Sequence, residues 1–587
     1  MKVGTRSDLD RRQFVLGGAA LAGSAVAGCC SVPPQTLAGV CTSTPEPLLA
    51  GPEVMRAWAG SERHFDAHTH FFNAADVPVE QFLARSVAHS IQDERVRQLV
   101  IALAPVAAAL AHLAPTPQAE MSALCDATGG QRPSMLSGTS GLDAAIELRR
   151  EKTADALYDE IVRRSTAIPA IVDGAVERTR RLQSDSLLLR RSPSGFSRDF
   201  VRDSLSLGAS SRDATTQRLQ PYSLNTLRLE DVQLAQIRSA LQFVGFMLAP
   251  RHHNLRTFIQ RFAEGSPATP ISGCFAAMVD FNYWLDCPAR ASNMRDQVLV
   301  HEQMALLSGG FLMPIVGYNP WVDIAESDAS IETVKWAVLE HGCVGVKIYP
   351  PMGYYPYGNE GHPLAGSSEQ RPDLKLLDLK LARLYATCEE LDIPVMAHDN
   401  QSNGRDAASD GLAAVTGWNW ADRQLSNLKA LRVNAGHFGG ARVHGDGADG
   451  DWTLGFIRLM QSSTRLRLYG DLGFWDELVT VPEVQTRLRD FMSIRLGGAA
   501  TVADRTLYGS DWLMLSQTPG WEGYADGVAK VLKSYDHDGS IARRVLGDNV
   551  LECYGLKAGA GRKNLDRMLT YCSKPGRTLP GWMLPTP

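Results

Sequence analysis

The 587-residue chain lacks a long, strongly hydrophobic run. Its candidates, Val15–Ala27 and Leu99–Ala114, are shorter than the ~20 residues that a membrane-spanning helix needs. The second also contains Pro105 and His112, so it reads as a buried helix. A basic excess is missing too: 59 Lys and Arg stand against 64 Asp and Glu, a formal net charge of −5. A nucleic-acid binder concentrates positive charge on one surface. The arginines between Arg149 and Arg202 do not, because Glu147, Glu151, Asp155 and Asp159 interleave with the first of them, as on solvated helix faces. No nucleic-acid partner is expected. Cysteine is sparse, ten in all, with no CxxC pair, which argues against a disulfide framework and leaves one or two bridges open outside the cytoplasm. Cys274, Cys343 and Cys388 lie in apolar segments and read as core residues. There is no internal repeat and no long low-complexity tract.

The first thirty residues read as an address rather than as fold. Asp10-Arg11-Arg12-Gln13-Phe14-Val15-Leu16 places paired arginines before a Gly/Ala-rich apolar run, which resembles a twin-arginine export signal. The run ends in Val26-Ala27-Gly28-Cys29, similar to a bacterial lipoprotein cleavage box, with Cys29 as the lipidation candidate; ordinary cleavage after residue 28 is the alternative. The expected location is therefore the periplasm or the envelope membrane, by a lipid anchor. Residues 1–29 form the signal and 30–59 a flexible, Pro/Ser/Thr-rich tether.

Beyond residue 60, short apolar strands alternate with amphipathic helices. The strand candidates are His64–Phe71, Gly273–Asp280, Gly310–Gly317, Cys343–Tyr349, Ile393–His398, Arg432–His437, Leu466–Leu472 and Arg505–Ser510. Helical patterns cover Gln297–Leu307, Ile331–Glu340, Leu374–Leu391, Trp420–Leu431 and Pro482–Ile494. Such alternation implies parallel strands joined by right-handed crossovers, and eight strands close a barrel. The predicted fold is α/β, a (β/α)₈ TIM-type barrel built from 60–73 and 270–557. Residues 74–269 are far too many for a βα link. They read as a mostly helical insertion between strands one and two, including Leu142–Arg164 and Glu230–Leu248, that caps the site. Residues 558–587 form a C-terminal extension.

The chemistry concentrates at strand ends. In Phe65-Asp66-Ala67-His68-Thr69-His70, residues two apart share a strand face, so Asp66, His68 and His70 point together. Two imidazoles on one face can ligate a divalent ion. Later strands close on His398, His437 and, in Gly509-Ser510-Asp511-Trp512, on Asp511. Parallel barrel strands aim their C-terminal ends at one face, so these residues converge there.

HxH on strand one, His on strands five and six and Asp on strand eight resemble the amidohydrolase superfamily. The Asp-x-His-x-His form, Gly509-Ser510-Asp511-Trp512 and Gly547-Asp548-Asn549-Val550-Leu551 are similar to its amidohydrolase-related branch, which holds both hydrolases and non-oxidative decarboxylases. The resemblance covers residues 60–73 and 270–557. It implies a divalent metal, zinc or else manganese, held by His68, His70, His398 and Asp511, with Asp511 as general base and His437 polarising the substrate oxygen or orienting water. It also marks strand four, where Lys347 would either bridge two metals as a carboxylated lysine or bind a substrate carboxylate; an ordinary ion pair is the bland alternative, and one metal per chain is expected.

Among weaker signals, the aromatic loop Pro350–Asn359 can stack on a flat substrate or simply pack, His252-His253 reads as structural, and Asp399 and Asn400 are candidate partners of the ligands. The expected activity is hydrolysis of an amide, ester or lactone-like bond in a small-molecule substrate. The alternatives are decarboxylation of an aromatic or unsaturated acid, and a non-catalytic envelope scaffold.

Overall fold

Strands appear in the order β1 (His64–Thr69), β2 (Ile271–Ala277), β3 (Leu312–Gly317), β4 (Gly345–Ile348), β5 (Val395–His398), β6 (Leu431–Gly436), β7 (Leu466–Asp471), β8 (Arg495–Gly497), β9 (Ala500–Thr501) and β10 (Thr506–Leu507). The computed structural model describes residues 62–87, 114–128, 245–266, 268–285, 292–362, 373–440, 451–559 and 561–584, with isolated positions at 37, 40, 49, 54, 58, 60, 111, 242 and 243. The export signal, Cys29, nearly all of the tether, the Leu142–Arg164 helix and most of Leu99–Ala114 lie outside the described residues.

Eight strands form one parallel sheet in the order β1-β2-β3-β4-β5-β6-β7-β10, and β8 pairs with β9 in a small hairpin. The sheet closes on itself: Ala67 N donates to Tyr508 O at 2.9 Å, Asp511 N to His68 O at 2.7 Å and His70 N to Trp512 O at 2.8 Å. The predicted (β/α)₈ barrel is the observed fold. Residues of β2 and β3 are buried throughout, because a parallel barrel strand faces side chains on one side and helices on the other. That is why these segments read as unbroken apolar runs.

Helices Met294–Leu307, Ala329–Glu340, Leu374–Glu390 and Pro482–Ser493 occupy the expected positions. Two start on side-chain caps: Asn293 accepts from Arg295 N, and Asp373 from Lys375 N and Leu376 N, which satisfies donors the first turn leaves unpaired. The helix expected at Trp420–Leu431 is corrected to Val415–Gln424. It stops because Leu425 leaves helical geometry at φ −85°, ψ 74°, and the following Ser426 and Asn427 suit a turn. The eighth barrel strand shrinks from Arg505–Ser510 to Thr506–Leu507, since Tyr508 onward bonds irregularly to β1.

Within the insertion, helix Pro117–Thr128 and helix Arg251–Phe258 meet the turn Ala74–Asp76 that leaves β1. Arg251 joins all three: its Nη2 lies 2.7 Å from Asp76 Oδ1 and its Nη1 2.9 Å from Glu120 Oε2. His252 completes the cluster, its Nδ1 2.8 Å from Glu120 Oε1. The C-terminal extension plugs the other end of the barrel, where Trp582 packs on Phe65 and donates to Gly310 O.

Candidate metal centre

His68 ends the inward face of β1, and His70 follows immediately after it. His68 Nδ1 is 3.0 Å from Asp471 Oδ1, and His70 Nδ1 is 2.7 Å from Ala277 O. A carboxylate and a carbonyl only accept, so each Nδ1 carries the proton and each Nε2 is left with a lone pair. These two Nε2 atoms face each other at 3.2 Å. Asp511 Oδ1 lies 3.6 Å from His68 Nε2 and 3.4 Å from His70 Nε2.

Three acceptor atoms thus converge on one point. A single proton can serve only one pair of them; a divalent cation serves all three. Four-coordinate zinc with bonds of ~2.0–2.1 Å needs donor–donor edges of ~3.3 Å, close to the edges found. The donor set therefore fits a divalent metal. Burial, with Lys347 and neighbouring imidazoles adding to it, keeps His68 and His70 well below the usual imidazole range, so both rings are neutral ligands. Burial pushes the Asp511 carboxyl well up, with Lys347 opposing it.

Backbone strain marks the same rim. His437, Phe438, Phe474, Asp511 and Leu513 all have positive φ, between 39° and 65°. Non-glycine residues held there cost ~1–3 kcal/mol each and cluster at functional sites. At Asp511 the turn aims the carboxylate back over β1.

His398, the other expected ligand, is not brought into this trio. Its Nε2 lies 3.0 Å from Ser402 Oγ, and its Nδ1 lies 3.2 Å from His437 Nε2. His437 reaches Gly473 O through Nδ1 at 2.9 Å, and its ring centroid is 4.8 Å from that of His68. The two histidines form a second imidazole pair beside the first. Lys347 is buried, and among the described residues its Nζ has no hydrogen-bond partner. Burial pulls its ammonium down to about 8 against Asp471, Asp511 and Asp399. Asp399 accepts from Trp418 Nε1 at 3.1 Å, and the Asn400 side chain accepts from Gln401 N. Asp66 Oδ1 accepts from His68 N and Ser510 N, both at 3.0 Å, and ties β1 to the Asp511 turn. The aromatic loop is packed: Asp378 accepts from the N–H groups of Gly358, Asn359 and Glu360. Tyr349, just before it, is the ring that approaches the site, 4.5 Å from the His398 ring and against Phe281 and Trp284.

One residue absent from the sequence reading is Asp471, at the end of β7. The signal was there: strand seven closes on an acid as strands five, six and eight close on His398, His437 and Asp511. Beside it, a Cβ on Gly473 would lie 2.7 Å from His68 Nδ1 and 2.8 Å from Asp471 Oδ1. Gly473→Ala is therefore expected to displace the His68 ring and weaken metal affinity about 10–100-fold, measured by chelator competition; unchanged affinity would contradict this geometry.

Residues 314–556 match the family described as Amidohydrolase. The match spans the strands that carry Lys347, His398, His437, Asp471 and Asp511. No curated protein matches the chain. Among solved structures, an uncharacterised TIM-barrel protein from Bordetella bronchiseptica is 17% identical, covering 51% of this chain and 83% of that one at a TM-score of 0.32. A 2,6-dihydroxybenzoate decarboxylase is 12% identical, with coverages of 45% and 76% and a TM-score of 0.28. A manganese-bound 5-carboxyvanillate decarboxylase from Novosphingobium aromaticivorans is 12% identical, with coverages of 49% and 78% and a TM-score of 0.30.

Proposed function

We propose that the chain is a metal-dependent hydrolase acting on an amide, ester or lactone-like bond of a small molecule. The convergence of His68 Nε2, His70 Nε2 and Asp511 Oδ1 carries this reading. A divalent ion, zinc or manganese, would lower the pKa of a coordinated water toward ~7 and polarise a substrate oxygen. Asp511 accepts the proton of the attacking water and returns it to the leaving group. His437, held by Gly473 O, orients the substrate oxygen, and His398 beside it either supports that ring or joins the ligand set. The Lys347 ammonium neutralises an anionic group of the substrate.

Lys347 also favours a second reading, non-oxidative decarboxylation of an aromatic or unsaturated acid. Its buried ammonium, without a hydrogen-bond partner among the described residues, suits a carboxylate, and Phe281, Trp284 and Tyr349 offer a flat apolar wall. Asp511 would then deliver a proton to carbon. Parallel assays distinguish the two: ester, amide and lactone panels read by product formation, and aromatic acids read by carbon dioxide release. Turnover of the first panel alone supports hydrolysis, and carbon dioxide release alone supports the lyase. Inertness of the metal-loaded protein in both would favour the scaffold alternative.

Export to the cell envelope belongs to the same proposal. Cys125 is disulfide-bonded, which suits an oxidising compartment. No helix among the described residues is long and apolar enough to cross a membrane. Replacing Arg11 and Arg12 with lysine is expected to retain the precursor in the cytoplasm on cell fractionation; undiminished export would contradict the twin-arginine reading.

A further inference from the structure

Asp471 is buried, and four donors reach it from three parts of the barrel. Its Oδ1 takes His68 Nδ1 at 3.0 Å, His437 N at 2.9 Å and Gly473 N at 2.9 Å. Its Oδ2 takes Asn434 Nδ2 at 2.8 Å. One carboxylate from β7 therefore grips a side chain of β1, a side chain of β6 and the strained turn that begins at His437. The space around the contact is cut to fit. A Cβ on Gly473 would strike both partners, and a Cβ on Gly509 would lie 2.8 Å from His68 Cβ, so the two glycines let the backbone pack directly against His68 and its partner.

The chemical consequence lies at the far side of the ring. An acceptor at Nδ1 holds the proton there and leaves Nε2 as the lone pair directed at His70 and Asp511. An anionic acceptor also makes that lone pair more basic, as carboxylates behind metal-bound histidines do. We propose that Asp471 is a positioning residue that selects the Nδ1–H tautomer of His68 and thereby sets the metal affinity of the site. The proposal rests on the metal-dependent reading above. By holding His437 N as well, the same carboxylate keeps the two imidazole pairs in register.

The test compares wild type with Asp471→Asn, each titrated with Co²⁺ alone in competition with a chromophoric chelator, with the visible spectrum of the bound ion recorded. The asparagine variant is expected to bind Co²⁺ about 10–100-fold more weakly and with an altered spectrum, while its far-UV circular dichroism stays native. Equal affinity with an identical spectrum overturns the role of Asp471 and leaves the metal reading standing. Failure of wild type itself to bind Co²⁺ overturns the metal reading and this proposal with it. Where Asp471→Asn does not fold, ring ¹⁵N shifts of the metal-free wild type decide the matter, with the His68 signal identified by its loss in His68→Gln. The Nδ1–H tautomer is the expected result, and an Nε2–H tautomer overturns the assignment.

Discussion

Asp511→Asn lowers kcat/KM by about 10³–10⁴-fold, the upper range for loss of a general base, because the same side chain also supplies the anionic corner of the metal site. Asparagine keeps the shape and leaves the bond from Asp511 N to His68 O in place, so barrel closure survives. Lost are the negative charge 3.4–3.6 Å from both imidazoles and the proton acceptor. Stability moves the other way. In the metal-free protein Asp511 is a buried carboxyl facing other acceptors, and a neutral amide relieves that arrangement, so the variant's Tm equals or exceeds that of wild type. Such opposition between activity and stability is the mark of a functional group. A loss in kcat/KM below tenfold, or a marked fall in Tm, would make Asp511 structural instead.

Arg251→Met is expected to cost about 3–5 kcal/mol of folding stability, the scale for removing one partner of a buried ion pair. It would strand Asp76 and Glu120 inside the protein, and their charges hold the insertion helices to the turn beyond His70. The pH dependence has a definite sign. Burial raises the Glu120 carboxyl, but the hydrogen bond and charge of His252 and the charge of Arg251 outweigh it and hold it at about 2, below the ordinary 4.5. A depressed carboxylate contributes stability above its unfolded value and loses it as pH falls through the folded one. The stability difference between wild type and Arg251→Met should therefore be largest above pH 4.5 and narrow as pH approaches 2. Urea unfolding across that range measures it. A difference under 1 kcal/mol, or one that widens toward low pH, would contradict the account.

The barrel was legible in the sequence because its strands are buried on both sides and therefore stand out as short apolar runs between amphipathic helices. His68, His70 and Asp511 were legible because residues two apart share a strand face and parallel strand ends share a rim. What could not be read was orientation within that rim. Periodicity places His398 at the end of β5 but does not say that Nε2 turns to Ser402. Nor does it foretell left-handed backbone at Asp511 and His437, which few non-glycine residues adopt even though Asp and His tolerate it better than most. Asp471 was hidden differently: its partner His68 is 403 positions away, and a lone acid at a strand end acquires meaning only once closure sets β7 and β1 on either side of β10. The Arg251 cluster likewise joins segments 175 and 131 positions apart. In the sequence His252 reads as structural, but nothing in the periodicity names Asp76, Glu120 or Arg251 as its partners.

The central claim is that His68, His70 and Asp511 hold a divalent metal, and metal content per chain measured by plasma mass spectrometry tests it most directly. Wild type should carry about one zinc or manganese per chain, lost in the His68→Ala, His70→Ala double variant; about two would assign Lys347 to a bridging role. No metal in either protein, even after reconstitution, would contradict the account.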